Sequence, residues 1–398
     1  MTPGLTTGGR VHGMYDRRLV FIAACLGMLV FGVVLTTLGS VLPSLIARFG
    51  LDNSHAGGLL ALMGLGVTAG SVIFGPVVDR YGYKEMLTGC MALILVGVEA
   101  IAFAPTRTLL LPAILLTGFA GGIVSGSVQA LVADLGEHGK NARIATIGVF
   151  FGSGALLVPL LLGLLLKSFS YTAIVASIGT LIALPVAYCW IIRFPQPKQP
   201  QGVSLEGAMG LLRDPTLLLL GVLLFLESGV ELTAGGWTAT FVHETLEIPA
   251  EQSLFFLTLY WSGMTAMRVV LSVLLRRIAA APILFASIGV AMIAACLLIA
   301  ARSALVAAIG STLLGIGFAG VFPVVLGLVG DRYAALTGTA FGLVIAMALV
   351  GGTVFPWLTG VLADVIGLRA ALGMIPTALI AIAVLFAAAR RGLATPAA

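Results

Sequence analysis

The chain has 398 residues, of which 60% are apolar and only 9% charged, with 51 glycines and a formal net charge of +5. Ordinary soluble domains carry about 25% charged residues. This chain has too little polar surface to cover itself in water, and too little charge for a disordered chain or a nucleic-acid-binding protein. Lipid is the expected solvent; at about 20 apolar residues per membrane helix there is enough material for about a dozen spans.

The chain begins with a polar stretch holding Arg10, Arg17 and Arg18 and no apolar core. It reads as a cytosolic leader and not as a cleavable signal peptide. Apolar runs between polar breaks then predict twelve membrane helices, at 19–47, 56–78, 85–104, 108–133, 144–166, 171–193, 215–242, 252–275, 281–301, 304–330, 336–362 and 367–389. The longest polar stretch, Arg193-Phe-Pro-Gln-Pro-Lys-Gln-Pro-Gln-Gly202, is rich in Pro and Gln and marks a linker over 193–214. It divides the chain into two six-helix bundles, 1–192 and 215–398. Of the 21 Lys and Arg, fifteen fall on the side of both termini, five on the other, and Arg268 inside a span. The positive-inside rule then places both termini in the cytoplasm of a cytoplasmic (inner) membrane protein.

The two halves repeat. Gly118-Phe-Ala-Gly121 in span 4 returns as Gly317-Phe-Ala-Gly320 in span 10, 199 positions later. Gly154, Pro159 and Gly163 in span 5 return as Gly351, Pro356 and Gly360 in span 11, 197 positions later. Spans 4 and 10 cross the membrane in the same direction, so the repeat is parallel. The loop after span 2 reads Gly75-Pro-Val-Val-Asp79-Arg80-Tyr-Gly82-Tyr-Lys84. This resembles the loop signature of the major facilitator superfamily, G-x-x-x-D-R-x-G-x-K, and the parallel six-plus-six repeat is the architecture of that family. The expected fold is therefore an all-α membrane protein, two six-helix bundles related by a pseudo-repeat. A carboxylate at Asp79 is favoured at a neighbouring helix N-terminus. With Arg80, Lys84 and Arg143 it forms either a charge cluster that latches one state or a solvated loop.

Within that superfamily several stretches resemble the fucose permease (fucose–galactose–proton symporter) branch. Gln129-Ala-Leu-Val-Ala-Asp-Leu-Gly136 is similar to N-P-x-x-x-x-L-G, and Gly229-Val-Glu231-Leu-Thr-Ala-Gly235-Gly236-Trp237 to G-x-E-x-x-x-G-x-W. Trp261 with Arg268, and Gly351…Pro356 with Gly360…Asp364, are similar to the branch's patterns in spans 8 and 11. The resemblance implies a sugar or sugar-like substrate and proton coupling. Gly39 and Ser125 stand where fucose permeases carry acidic residues, and Gly148 and Phe151 where they carry amides. The first-half lining is correspondingly apolar.

Four charges fall inside predicted spans: Glu99, Glu227, Glu231 and Arg268. A charge at the bilayer centre costs at least about 2.5–3.5 kcal/mol, so each needs a partner or water. Glu99, in a span expected at the bundle's periphery, has a packing role. Glu227 and Glu231 are four apart and share a helix face. Either they line the transport pathway as proton or sodium carriers, or they pair with Arg268, whose depth fits Glu227 better. Gly235-Gly236 predicts a helix break with open backbone. Trp237 beside it, with Gln129, Tyr260, Trp261 and Trp357, supplies hydrogen bonds and aromatic walls for a sugar ring.

No enzyme constellation, ATP-binding motif or cofactor-binding motif occurs. The four cysteines lie in apolar runs without a CxxC, reading as small buried hydrophobes with no metal or disulfide role. The expected function is secondary active transport of a small polar solute by a monomer in the lipid bilayer, driven by a proton or sodium gradient. The apolar first half keeps a second reading open, a proton antiporter exporting amphipathic compounds.

Overall fold

The computed structural model describes residues 15–135, 140–195, 210, 211, 213–275, 277–333 and 337–393. Twelve helices are long and apolar enough to cross a membrane: Arg17–Phe49, Asn53–Gly75, Tyr83–Phe103, Arg107–Val132, Thr146–Leu165, Tyr171–Ile191, Pro215–Leu246, Ala250–Leu274, Ala280–Ala300, Ala304–Arg332, Thr339–Ile366 and Leu368–Arg390. They are spans 1 to 12. No strand occurs among the described residues, as lipid requires every backbone group to be bonded within the helix. The all-α fold read from the sequence is the fold observed.

Local chemistry sets the ends. Asp16, Asp52, Ser170, Asp214 and Ser303 cap spans 1, 2, 6, 7 and 10 by accepting first-turn N–H groups. Three spans are interrupted, span 12 by a turn at Leu372–Gly373 just after its start. Span 6 turns at Ile182. Span 10 breaks at Ala319–Gly320, where Pro323 has no N–H to donate to the Ala319 carbonyl.

The duplication is legible in the packing, with one correction. A Cβ on Gly66 would meet the Leu115 carbonyl across the contact of spans 2 and 4, and one on Gly263 the Thr312 carbonyl across spans 8 and 10. Gly118 and Gly315 occupy the reciprocal positions of the same two contacts, and Gly154 and Gly351 match across spans 1–5 and 7–11. All three pairs are 197 apart. Gly118 therefore corresponds to Gly315; the Gly-Phe-Ala-Gly match at 199 is two residues out of register, because Gly317 packs on Ala291 of span 9 instead. Close crossings select small residues at fixed depth, not matching letters.

The face carrying the link between spans 2 and 3 is called here the basic face. Spans 2 and 11 touch away from it and part toward it. On span 2 a Cβ at Gly64 would contact Thr353 of span 11, yet at Gly75, eleven residues on along the same helix face, nothing lies within 4 Å. On span 11 the same holds: Gly342, eleven residues before Thr353, meets nothing within 4 Å. Spans 5 and 8 behave alike, Gly152 meeting Thr265 and Gly148 meeting nothing. Near the opposite face Gly39 packs on the Gly235 carbonyl, Gly57 on Trp357 and Gly163 on Phe255. The spaces between the first six and last six spans are closed at the opposite face and open toward the basic face.

Of the cysteines, Cys25, Cys90 and Cys189 are buried, but Cys296 is exposed on span 9, correcting its reading as buried. Its helix has neighbours on one side only.

Candidate functional site

Three of the four charges inside the spans, Glu227, Glu231 and Arg268, converge at mid-depth, where the gap between the halves closes. Glu227 is completely buried on span 7, and Glu231 lies one turn on. Arg268 of span 8 stands 3.9 Å from Glu231 Oε1. Depth along the sequence favoured Glu227 as the partner. The structure pairs Arg268 with Glu231, because a long side chain covers more than a helical turn along the axis. Glu227 Oε1 accepts no hydrogen bond among the described residues and its Oε2 accepts a long 3.4 Å bond from Ser228, while its carboxyl lies within reach of the Glu231 carboxyl, a contact that becomes a hydrogen bond only when the pair shares a proton. The ensemble is two carboxyls and one guanidinium, with Glu227 completely buried and Glu231 and Arg268 partly exposed.

An aromatic chain crosses the gap beside it. Phe31 of span 1 lies 5.7 Å from Phe151 of span 5, and Phe151 lies 6.1 Å from Trp261 of span 8. Trp261 is edge-on to Tyr260 at 5.2 Å. Arg268 lies over the Phe151 ring at 5.5 Å, so the second-half cation rests on a first-half π face. Tyr260 is fully buried and donates its hydroxyl to the Glu231 carbonyl at 3.1 Å. Trp261 is 2% exposed, and its indole N–H has no partner among the described residues. The site thus holds one orphaned acceptor, at Glu227, and one orphaned donor, at Trp261. Each unsatisfied buried group costs about 1–3 kcal/mol.

Gln129 is exposed, its amide donating to Ser125 Oγ at 3.3 Å. On span 4 these two residues lie between the row meeting span 1, at Gly121, and the row meeting span 2, at Gly122 and Gly126. That sector faces the open gap.

Three expectations need correction. Span 7 runs unbroken from Pro215 to Leu246 through Gly235 and Gly236. These glycines admit the Trp261 ring, Leu60 and, from span 1, Gly39. Trp237 is completely buried and donates its indole N–H to the Pro356 carbonyl at 2.9 Å, tying span 7 to span 11 with no ring face open to a solute. Trp357 is 44% exposed in the half where the two groups of spans are closed together, so it faces lipid and not a cavity.

The basic-face cluster is placed in part. The Asp79 side chain lies outside the described residues. Arg80 is exposed, stacked over Tyr81 at 5.4 Å, and Lys84 is half-buried on span 3. Arg143 is half-buried near the start of the span 5 helix. Glu99 accepts a hydrogen bond from Thr180 of span 6 at 3.0 Å, the packing role expected.

A second basic-face pin was not anticipated. Asp214 caps span 7 through the Thr216 N–H at 2.7 Å and accepts the Tyr333 hydroxyl, at the end of span 10, at 2.7 Å. Burial alone would raise the Asp214 carboxyl; the Tyr333 bond, the cap bonds and nearby Arg332 together hold it below its ordinary 3.8. Burial and the bond to Asp214 push the Tyr333 phenol up to about 12, so it remains an O–H donor. A depressed carboxyl stabilises the fold above its unfolded value and ceases to do so as pH falls through the folded one. The pin's contribution to the melting temperature should therefore be full and independent of pH near neutrality and be lost as the pH falls below 3.8; Asp214→Asn should lower the melting temperature at neutral pH and remove part of that acid-side fall.

The model of the Major Facilitator Superfamily matches residues 24–335. The chain belongs to the major facilitator superfamily. It is a membrane transporter of that type. It is 24% identical over 351 residues to the uncharacterized transporter y4wD of Sinorhizobium fredii (strain NBRC 101917 / NGR234), covering 86% of this chain and 91% of the relative. Its fold matches a mutant of the nucleoside transporter NupG with TM-score 0.78, at 15% identity over 94% of this chain and 99% of that one. It matches a D-xylose–proton symporter with TM-score 0.78 at 15% identity, over 93% of this chain and 97% of the other.

Proposed function

We propose that this superfamily member is a secondary active transporter of a small polar solute of sugar-like chemistry, coupled to protons through Glu227, Glu231 and Arg268. The observation that carries the proposal is the mid-depth pair of orphaned polar atoms, the Glu227 carboxyl oxygen and the Trp261 indole N–H, flanked by aromatic rings. A hydroxylated ring supplies donors, acceptors and a C–H face. Two of the fold's neighbours carry a nucleoside and D-xylose, which agrees with that chemistry. Gln129 reaches the solute from the first half.

Arg268 balances one carboxylate, and the second, on the completely buried Glu227 or its neighbour, is tolerated only when a proton or another cation neutralises it. Sodium would serve the same charge balance. One proton crossing 100 mV supplies about 2.3 kcal/mol, a gradient of about 50-fold. Residues 1–192 and 215–398 would rock about the site, tethered by 193–214. With the basic face toward the cytoplasm, the side to which the Lys and Arg distribution assigns it in an inner membrane, the structure would correspond to an inward-open state, and the transporter would act as a monomer.

The apolar contribution of Phe31 and Phe151 favours a second reading, proton-driven export of amphipathic compounds. A melting panel of hexoses, pentoses, nucleosides and amphipathic cations, run on detergent-solubilised protein at two pH values, separates the two. Stabilisation by a sugar or nucleoside supports the first; stabilisation by amphipathic cations alone overturns it.

A further inference from the structure

The loop signature occurs twice in this chain. At the basic-face end of span 2 it reads Gly75…Asp79-Arg80…Gly82…Lys84. At the opposite-face end of span 11 the same spacing of glycine, acid, glycine and base returns as Gly360-Val-Leu-Ala-Asp364-Val-Ile-Gly367-Leu-Arg369. The backbone repeats with it. Gly82 has φ 88° and ψ 165°, and Gly367 has φ 83° and ψ 151°. Side-chain-bearing residues rarely adopt such a conformation, and it lets each span turn directly into the next. Spans 2 and 11 also pack on each other, so the two copies sit at opposite ends of one helix pair.

In the second copy the acid has a visible task. Asp364 Oδ1 accepts the Asn53 N–H at 2.9 Å, and Oδ2 accepts the Ser54 N–H at 2.8 Å. The Ser54 hydroxyl donates to the same oxygen. Asn53 and Ser54 are the first residues of span 2. The next N–H, of His55, goes to span 2's own cap, Asp52, at 2.7 Å. Two of the three side-chain-capped N–H groups of span 2 are therefore satisfied by span 11, from the other half of the chain. Gly360, one turn before Asp364, has no Cβ and lets the Asn53 carbonyl approach. The base of the motif is engaged too: Arg369 donates to the Ile299 and Ala301 carbonyls and lies over the Phe241 ring at 5.5 Å. It fixes the start of span 12 to spans 9 and 7, giving Asp364 a rigid support.

We infer that Asp364 is the outer latch of the transporter, a positioning residue that holds the opposite face shut by capping span 2 across the gap. When that face opens, the Asn53 and Ser54 N–H groups pass to water, which is available because Asp364 is itself exposed. The latch is thus strong enough to bias the conformers and weak enough to release. A carboxylate at an exposed helix N-terminus shifts such a ratio by about two- to fivefold. The inference rests on the transporter family and not on the identity of the solute.

The test uses full-length protein without solute, its four cysteines replaced, and spin labels at exposed Lys167 and Arg302 near the opposite face. A second pair is placed at Arg193 and Arg277 near the basic face. Double electron–electron resonance should show one dominant short distance for the opposite-face pair. Asp364→Asn and Asp364→Ala should raise the long-distance fraction about two- to fivefold, with the reciprocal change in the basic-face pair. Asp364→Glu should recover part of the shift, and Ser54→Ala should give a smaller shift of the same sign. Unchanged distances in Asp364→Asn and Ser54→Ala would overturn the latch, whether or not those variants melt earlier, since capping would then serve only helix stability. The outcome is independent of the solute panel, so failure of the substrate reading leaves it standing.

Discussion

Replacing Glu231 by Gln is expected to abolish gradient-driven accumulation, a loss of up to about 50-fold, the whole ratio that one proton through 100 mV sustains. Exchange of solute at equal concentrations should persist. Gln keeps the shape and most of the hydrogen bonding of Glu, so the site remains able to hold a polar solute. What disappears is the charge facing Arg268 at 3.9 Å. With that charge fixed at zero, Glu227 is the one carboxylate left to balance Arg268, a proton taken up there would leave the guanidinium unpaired, and solute movement is uncoupled from proton movement. Proteoliposomes with an imposed proton gradient, assayed with a solute found in the melting panel, distinguish the two modes. Accumulation undiminished by Glu231→Gln would remove this residue from coupling.

The second large effect is expected at Arg268. Arg268→Met leaves Glu231 without its cation, beside the buried Glu227. Breaking a buried ion pair on one side costs about 3–5 kcal/mol, whereas replacing both partners by neutral groups of similar volume is often nearly neutral. The Arg268 and Glu231 side chains are 25% and 12% exposed, so the lower end, about 3 kcal/mol, is expected. The double variant Glu231→Gln/Arg268→Met should recover most of that loss in a chemical denaturation or melting series. Strictly additive losses would show that the two side chains do not act as a pair.

The twelve spans were legible because lipid leaves the chain little choice: long apolar runs between polar caps become helices. The duplication was legible in Gly154, Pro159 and Gly163, but the Gly-Phe-Ala-Gly match was two residues out of register. What recurs is a missing Cβ at a crossing point, which many letter patterns satisfy. The Gly235-Gly236 break failed for a related reason. Glycine weakens a helix when water can take over the backbone bonds, and away from water the bonds are retained and the bare backbone serves close packing. The acidic pair on span 7 and Arg268 were recognisable as costly charges, while the partner of Arg268 depends on side-chain reach that sequence depth does not encode. Trp237 and Trp357 could not be oriented from their own spans, because what Trp237 faces is decided by span 11 and what Trp357 faces by span 2. Phe151 was visible only as a missing amide, and the structure makes it the surface on which Arg268 rests. Asp364 stood in plain sight within a repeated spacing, but its role depends on a helix start 311 positions away in sequence.

The most direct test of the account is the pH response of the same two spin-label pairs in solute-free protein, natural and Glu227→Gln. If the acidic pair on span 7 carries the coupling proton, the fractions of inward-open and outward-open molecules should change between mildly basic and mildly acidic pH. Glu227→Gln should fix them near the acidic values at both. Populations that respond to pH identically with and without the Glu227 carboxyl, or that do not respond at all in the natural protein, would contradict it.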